Sequence, residues 1–203
     1  MFYSSRHGRK DVFLISADGT NEVRLTDGPS WDTHPSFSPD GLRIAFTREV
    51  DGQFGVYVLS RDSVGAEWSA PRPLTPDADG RLGVSWSPDG SRIVSRALDP
   101  QWWIISLQGE QLLLLDGAAV GLRPSGGFSW SADGRLIYFV ARDSTGSKNM
   151  YVIPAAGGTP RMFIRFDEPT KISWSLYSMG AGKLYFTVGE TESDIYVMDL
   201  EMQ

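Results

Sequence analysis

Four times along the chain an aromatic residue followed by serine runs into a hydrophobic strand. Three copies carry a full turn, namely Phe37-Ser-Pro-Asp-Gly41, Trp86-Ser-Pro-Asp-Gly90 and Trp130-Ser-Ala-Asp-Gly134; the fourth is Trp174-Ser175. The intervals between the aromatics are 49, 44 and 44 residues. Within the turn, proline presets φ, aspartate bonds back to the backbone, and glycine takes the positive φ that ends it. A period in the forties, with several strands inside each unit, predicts a β-propeller with one blade per repeat.

The other strands recur as well. Second strands read Arg43-Ile-Ala-Phe-Thr47, Ile93-Val-Ser95, Leu136-Ile-Tyr-Phe139 and Lys183-Leu-Tyr-Phe-Thr187. Third strands centre on Phe13, Tyr57, Trp103, Tyr151 and Tyr196, which lie 44, 46, 48 and 45 residues apart. Fourth strands are Glu22 to Thr26, a weak one around Pro73-Leu-Thr75, Gln111 to Leu115 and Arg161 to Ile164. Proline in the weak one suits an outer edge strand. The expected fold is all-β, a propeller of four-stranded antiparallel blades. Five are present, three complete (34–83, 84–126, 127–171) and two partial (1–33, 172–203), in a single 1–203 propeller domain. Because the first unit begins at its second strand, the chain is expected to be the C-terminal part of a propeller of six or more blades. An open blade edge of this kind also offers a route to self-association. The recurring aromatics have a packing task. Each buried Trp or Tyr removes about 150–250 Å² from water, worth roughly 4–6 kcal/mol at about 25 cal/mol per Å². Trp86, Trp130 and Trp174 therefore read as filling between blades.

The Trp-Ser-Pro-Asp-Gly turn leading into a hydrophobic strand resembles the Pro-Asp, WD-like propeller repeat of the TolB type. That repeat also occurs in the N-terminal propellers of dipeptidyl-peptidase-like serine peptidases. The resemblance covers nearly the whole chain; it departs at Ala132, which replaces proline, and at Leu176 to Gly182, where the turn is rebuilt. It implies a bacterial, periplasmic or extracytoplasmic interaction module. The tail Leu184 to Leu200 also looks like the closing segment of propellers attached to bacterial serine/threonine kinases, which implies the sensor part of a larger receptor. The alternative is the substrate-gating propeller of a serine peptidase without its hydrolase domain.

Chemistry in the chain itself is sparse. The nearest approaches to a Gly-x-Ser-x-Gly nucleophile motif are Gly83-Val-Ser-Trp-Ser87 and Gly127-Phe-Ser-Trp-Ser131, both lacking the last glycine, and no histidine follows His34. No catalytic residue is expected. With two histidines and no cysteine, no metal centre and no cofactor is expected either. Asp77-Ala-Asp79-Gly80 lacks the later ligands of a calcium loop and reads as a solvated turn. A net charge of −6 without a Lys/Arg run argues against nucleic acid. No apolar run is long enough to insert into a membrane.

Binding remains. Loops joining strands two to three, and one blade to the next, share one face of a propeller and carry its variation. On this face Trp31, Asp32, His34, Phe54, Trp102, Arg123 and Arg142 are the expected contacts for a protein or peptide partner. Exposed Trp and Arg side chains there match the residue types that dominate protein interfaces. His34 sits where an inner strand meets the channel mouth and reads as a structural histidine bonded to a neighbouring loop ahead of a ligand-binding one. Trp102 reads equally well as packed under its own loop.

Overall fold

The buried serine of the repeated turn sets the local structure. The computed structural model describes residues 1–75, 80–97, 100–165, 172–180, 183–189 and 193–199; of the side chains after residue 165, Lys183 and Tyr185 alone are described. At each of the three complete turns the serine hydroxyl donates to the aspartate two residues on, at 2.5–2.6 Å. The same oxygen accepts the backbone N–H of Arg43, Arg92 or Leu136, at 2.9–3.0 Å. Aspartate Oδ1 then accepts the N–H of Leu42, Ser91 or Arg135. The glycine N–H closes onto the serine carbonyl, with φ of 68°, 68° and 70° at Gly41, Gly90 and Gly134. Ala132 leaves this network intact, because proline contributes φ and no hydrogen bond.

Eighteen strands form five antiparallel sheets among the described residues. The first has three, β1 (Phe2–Ser4), β2 (Asp11–Leu14) and β3 (Val23–Arg24). The second orders β4 (Trp31–Phe37), β5 (Arg43–Val50), β6 (Gln53–Ser60) and β7 (Arg72–Pro73). The third orders β8 (Leu82–Trp86), β9 (Arg92–Arg96), β10 (Gln101–Ser106) and β11 (Gln111–Asp116). The fourth orders β12 (Arg123–Trp130), β13 (Leu136–Arg142), β14 (Lys148–Pro154) and β15 (Arg161–Ile164). The last has β16 (Ile172–Gly180), β17 (Lys183–Gly189) and β18 (Ser193–Asp199). Three complete blades and two three-stranded ones match the repeat count. The chain forms two compact units, Met1–Asp99 with Trp103–Leu112, and Pro100–Trp102 with Leu113–Gln203.

Where the fourth repeat lacks the Ser-Pro-Asp-Gly turn, the strand does not stop. β16 runs on to Gly180, which pairs with Lys183, so strand continues through Leu176, the expected start of a rebuilt turn. The weak outer strands are held by a Leu-Thr pair that period counting does not single out. The Leu25 and Leu74 N–H groups donate to the Val12 and Val56 carbonyls, and the Thr26 and Thr75 hydroxyls accept the Val12 and Val56 N–H groups at 3.0 and 2.9 Å.

In the first unit, the core between the second and third sheets joins Ala45, Val56, Val58, Leu74, Trp86, Ile93 and Ile105. Trp86 is buried there, and its indole N–H donates to the Ser36 carbonyl at 3.0 Å. Ser36 flanks the register shift in β4 that separates it from Thr33. Trp130 is buried as expected; the Trp174 side chain lies outside the described residues.

Hydrogen bonds from Ser87 and from the Ser91 backbone pull the Asp89 carboxyl down to about 2, and the same arrangement lowers Asp40 and Asp133. A carboxyl depressed on folding stabilises the fold fully above its ordinary value near about 3.9. That contribution is lost as the pH falls through about 2. Ser87→Ala is expected to cost about 1–3 kcal/mol, because a buried N–H and the carboxylate lose their partner. In a carboxyl-detected NMR titration of this variant, Asp89 is expected to move up toward the ordinary range; an unchanged titration would show that the serine does not hold it.

Candidate functional site

The seven expected contact residues divide by unit and by burial. In the first unit, Trp31 opens β4 opposite Glu49, and Glu49 in turn faces Phe54 across β5 and β6. Directly opposed residues share a face of a sheet, so Trp31, Glu49 and Phe54 stand together on one side. Trp31 is 38 % exposed; Phe54 is half-buried, its carbonyl accepting the Arg81 N–H at 3.2 Å.

Asp32 does not belong to an open surface. It is 1 % exposed and forms a two-pronged ion pair with Arg48, at 2.7 and 2.8 Å. Arg48 lies over the Phe46 and Tyr57 rings, at 5.4 and 5.0 Å from their centroids. Asp32 therefore anchors β4 to β5 and is removed from the contact set. Trp102 is removed too. It is 1 % exposed in the second unit, 5.0 Å from the Phe139 ring. The adjoining loop folds back, the Gly117 N–H donating to the Pro100 carbonyl at 2.5 Å. Position 117 admits no side chain, because a Cβ would meet the Leu122 and Pro100 carbonyls and the Trp102 ring. Arg123 and Arg142, also in the second unit, are exposed and directly paired between β12 and β13. Arg142 donates to the Gly146 carbonyl at 2.8 Å.

His34 adopts a left-handed φ of 52° within the β4 irregularity. At the repeat-equivalent place, 49 residues on, stands Gly83 with φ 67°. Glycine takes this conformation freely; a histidine holds it at a cost of roughly 1–2 kcal/mol. The imidazole lies 6.0 Å from the Tyr3 ring, with Nδ1 3.0 Å from the Thr33 hydroxyl. Partial burial, then the positive charges of Arg96 and Lys10, hold its pKa below the usual imidazole value.

Four residues that loop reasoning did not select complete this region. Lys10 Nζ lies 5.2 Å from the Trp31 ring centroid and 5.7 Å from that of Tyr3. The Arg9 guanidinium lies 5.7 Å from the Trp31 centroid. Tyr3 is 43 % exposed. Arg96 ends β9, where partial burial lowers its pKa. No repeat signal marks Arg96, whose register equivalent in the second sheet is Thr47.

This arrangement offers cations, aromatic faces and one imidazole. Among the described residues no group of three or more His, Cys, Asp or Glu side chains could hold a metal ion, and no helix is long and apolar enough to cross a membrane.

Five antiparallel sheets, three of four strands and two of three, with this turn in the complete blades, form a β-propeller, and comparison with known proteins specifies its type. No protein-family profile matches the chain. A TolB homologue of Chlorobium luteolum is 30 % identical over 172 residues, 81 % of this chain and 33 % of that protein. Dipeptidyl-peptidase 5 of Porphyromonas endodontalis is 27 % identical over 89 residues, 44 % of this chain and 12 % of that protein. Among solved structures, TolB from Acinetobacter baumannii superimposes with a TM-score of 0.72 at 20 % identity, over 97 % of this chain and 48 % of that one. A puromycin-hydrolysing peptidase of Mycobacterium tuberculosis gives 0.67 at 15 %, over 94 % of this chain and 31 % of that one. The chain is thus a bacterial TolB-type β-propeller, and it spans a third of the TolB homologue and about half of the TolB structure.

Two substitutions separate anchor from surface. Asp32→Ala is expected to destabilise the fold by about 3 kcal/mol, since it strips a largely buried guanidinium of its carboxylate. Trp31→Ala, at a largely exposed position, is expected to change stability by less than about 1 kcal/mol. Thermal unfolding of both variants checks the pair of values.

Proposed function

We propose that this chain is a non-catalytic binding module that captures a protein or peptide partner on the face carrying Trp31, Phe54 and His34. Arg123 and Arg142 are proposed as contacts on the second unit taken by itself. The observation that carries the reading is Trp31 itself. A large aromatic stands 38 % exposed at a strand end with two cations against its ring. A protein keeps such a side chain out of its core at some cost in solubility, and interfaces are where Trp and Arg concentrate binding energy. Similarity to TolB homologues supports the reading, one relative being named as a protein of the Tol-Pal system. Such a module would serve as the recognition part of a larger receptor, the kinase-linked sensor included.

A second reading has its own support in the likeness to dipeptidyl-peptidase 5. In it the propeller gates substrate for a hydrolase domain, and the same loop face would meet that domain in place of a separate partner.

Photo-crosslinking in the native bacterium discriminates between them. A benzophenone amino acid placed at position 54 is expected to trap a discrete second protein, and Trp31→Ala is expected to abolish that product while the melting temperature stays within a few degrees. Crosslinks confined to the same polypeptide would favour the gating reading. Crosslinks only to another copy would make self-association the function of this face.

A further inference from the structure

The second and third repeats place opposite charges at one equivalent position, Asp32 and Arg81, and neither leaves an acid for Arg96. Asp32 of β4 neutralises Arg48 of β5. Forty-nine residues on, the position of Asp32 is occupied by Arg81, which is 3 % exposed, lies 4.5 Å from the Trp103 ring centroid and donates to Gln111. Arg96 stands opposite Leu82 of β8, as Thr47 stands opposite Thr33, so the neighbouring strand sets no acid against it. It makes no ion pair or hydrogen bond among the described residues, although it is half-buried.

The groups around His34 are also short of acid. From the first sheet come Tyr3 and Lys10, and from β9 comes Arg96. On its own strand the nearest carboxylate, Asp32, is committed to Arg48. Glu49, opposite Trp31, accepts the Gly52 N–H at 2.7 Å. Lys10 is held by ring faces alone among the described residues. In a chain of net charge −6 this is a local excess of positive charge beside exposed aromatics. The imidazole among these cations sits on a left-handed backbone that glycine would occupy without strain.

We propose that Lys10, His34 and Arg96 form a carboxylate-binding site for an acidic segment of the partner, with Trp31 and Tyr3 contributing apolar contact beside it. The inference rests on the reading of this face as a binding surface and names the chemistry of what binds there. Charge complementarity selects an acidic peptide. An incoming carboxylate supplies the counter-charge that Arg96 and Lys10 lack, and it favours the protonated form of His34. Capture is therefore coupled to proton uptake, and affinity increases as the pH falls from neutrality toward the lowered pKa of His34.

The test uses the full chain and a fluorescein-labelled synthetic peptide of alternating Asp and Gly, with the Asn-Gly peptide as its uncharged counterpart. Fluorescence anisotropy at low ionic strength is expected to show binding of the Asp peptide only, weakened by salt and stronger near about pH 6 than near about pH 8. Lys10→Met and Arg96→Met are each expected to weaken it about tenfold, the loss of one charge-assisted contact. Arg135→Gln, at an exposed turn outside the cluster, is expected to leave it unchanged. His34→Gly separates binding from structure, because relief of the left-handed strain should leave the melting temperature equal or higher while affinity falls and its pH dependence flattens. Equal binding of both peptides, or of the Asp peptide by wild type and the Met variants alike, would overturn the proposal. If crosslinking at position 54 still traps a partner in that case, the surface stands and its acidic ligand does not. Competition by free citrate at concentrations that leave the Asn-Gly control silent would identify a small carboxylate, not a peptide, as the occupant, and would overturn the peptide assignment.

Discussion

A single buried hydroxyl organises each complete blade. Ser38, Ser87 and Ser131 each hold an aspartate oxygen on one side and a backbone N–H five residues on at the other. The chain reverses tightly there, and the inner two strands start in register. Because the turn satisfies its own polar groups, it needs no help from neighbouring loops. The loops at the opposite ends of those strands are then free of any structural duty at the turn. That division of labour lets a repeat vary its recognition residues without losing its blade.

The inner strand carries the consequences. Its register shift lets the Trp86 indole reach the Ser36 carbonyl, so an aromatic that fills the space between sheets is also oriented by a hydrogen bond. The same shift demands a left-handed residue. Glycine meets that demand at position 83, whereas position 34 meets it with histidine. Glycine removes this strain at position 83 and histidine retains it at position 34, so local structure there has been subordinated to something else.

Legibility followed the range of the interaction. The turns could be read directly, since proline, aspartate and glycine each answer a demand made within four residues. The strand count could be read from spacing alone. Asp32 could not be distinguished from a surface acid, because Arg48, which buries it, lies 16 residues away and is brought opposite only by the β4–β5 register. Trp102 presented the same difficulty. An aromatic at the start of a strand reads alike whether it stands in solvent or lies beneath a glycine such as Gly117. Arg96 was harder still, since its meaning lies in a missing acid, visible only once the β8–β9 register sets Leu82 opposite it. The fold was therefore almost wholly legible, and the candidate site only in part.

The central claim is that His34 stands on a strained backbone among cations that lack a counter-charge. The chain has two histidines, so imidazole proton NMR resolves the ring of His34 against one other, assigned with a single variant. The account predicts that His34 titrates below the ordinary imidazole value of about 6.5 and moves upward when Lys10 and Arg96 are both replaced by Met. Titration at or above that value in the wild-type chain, or no change in the double variant, would contradict it.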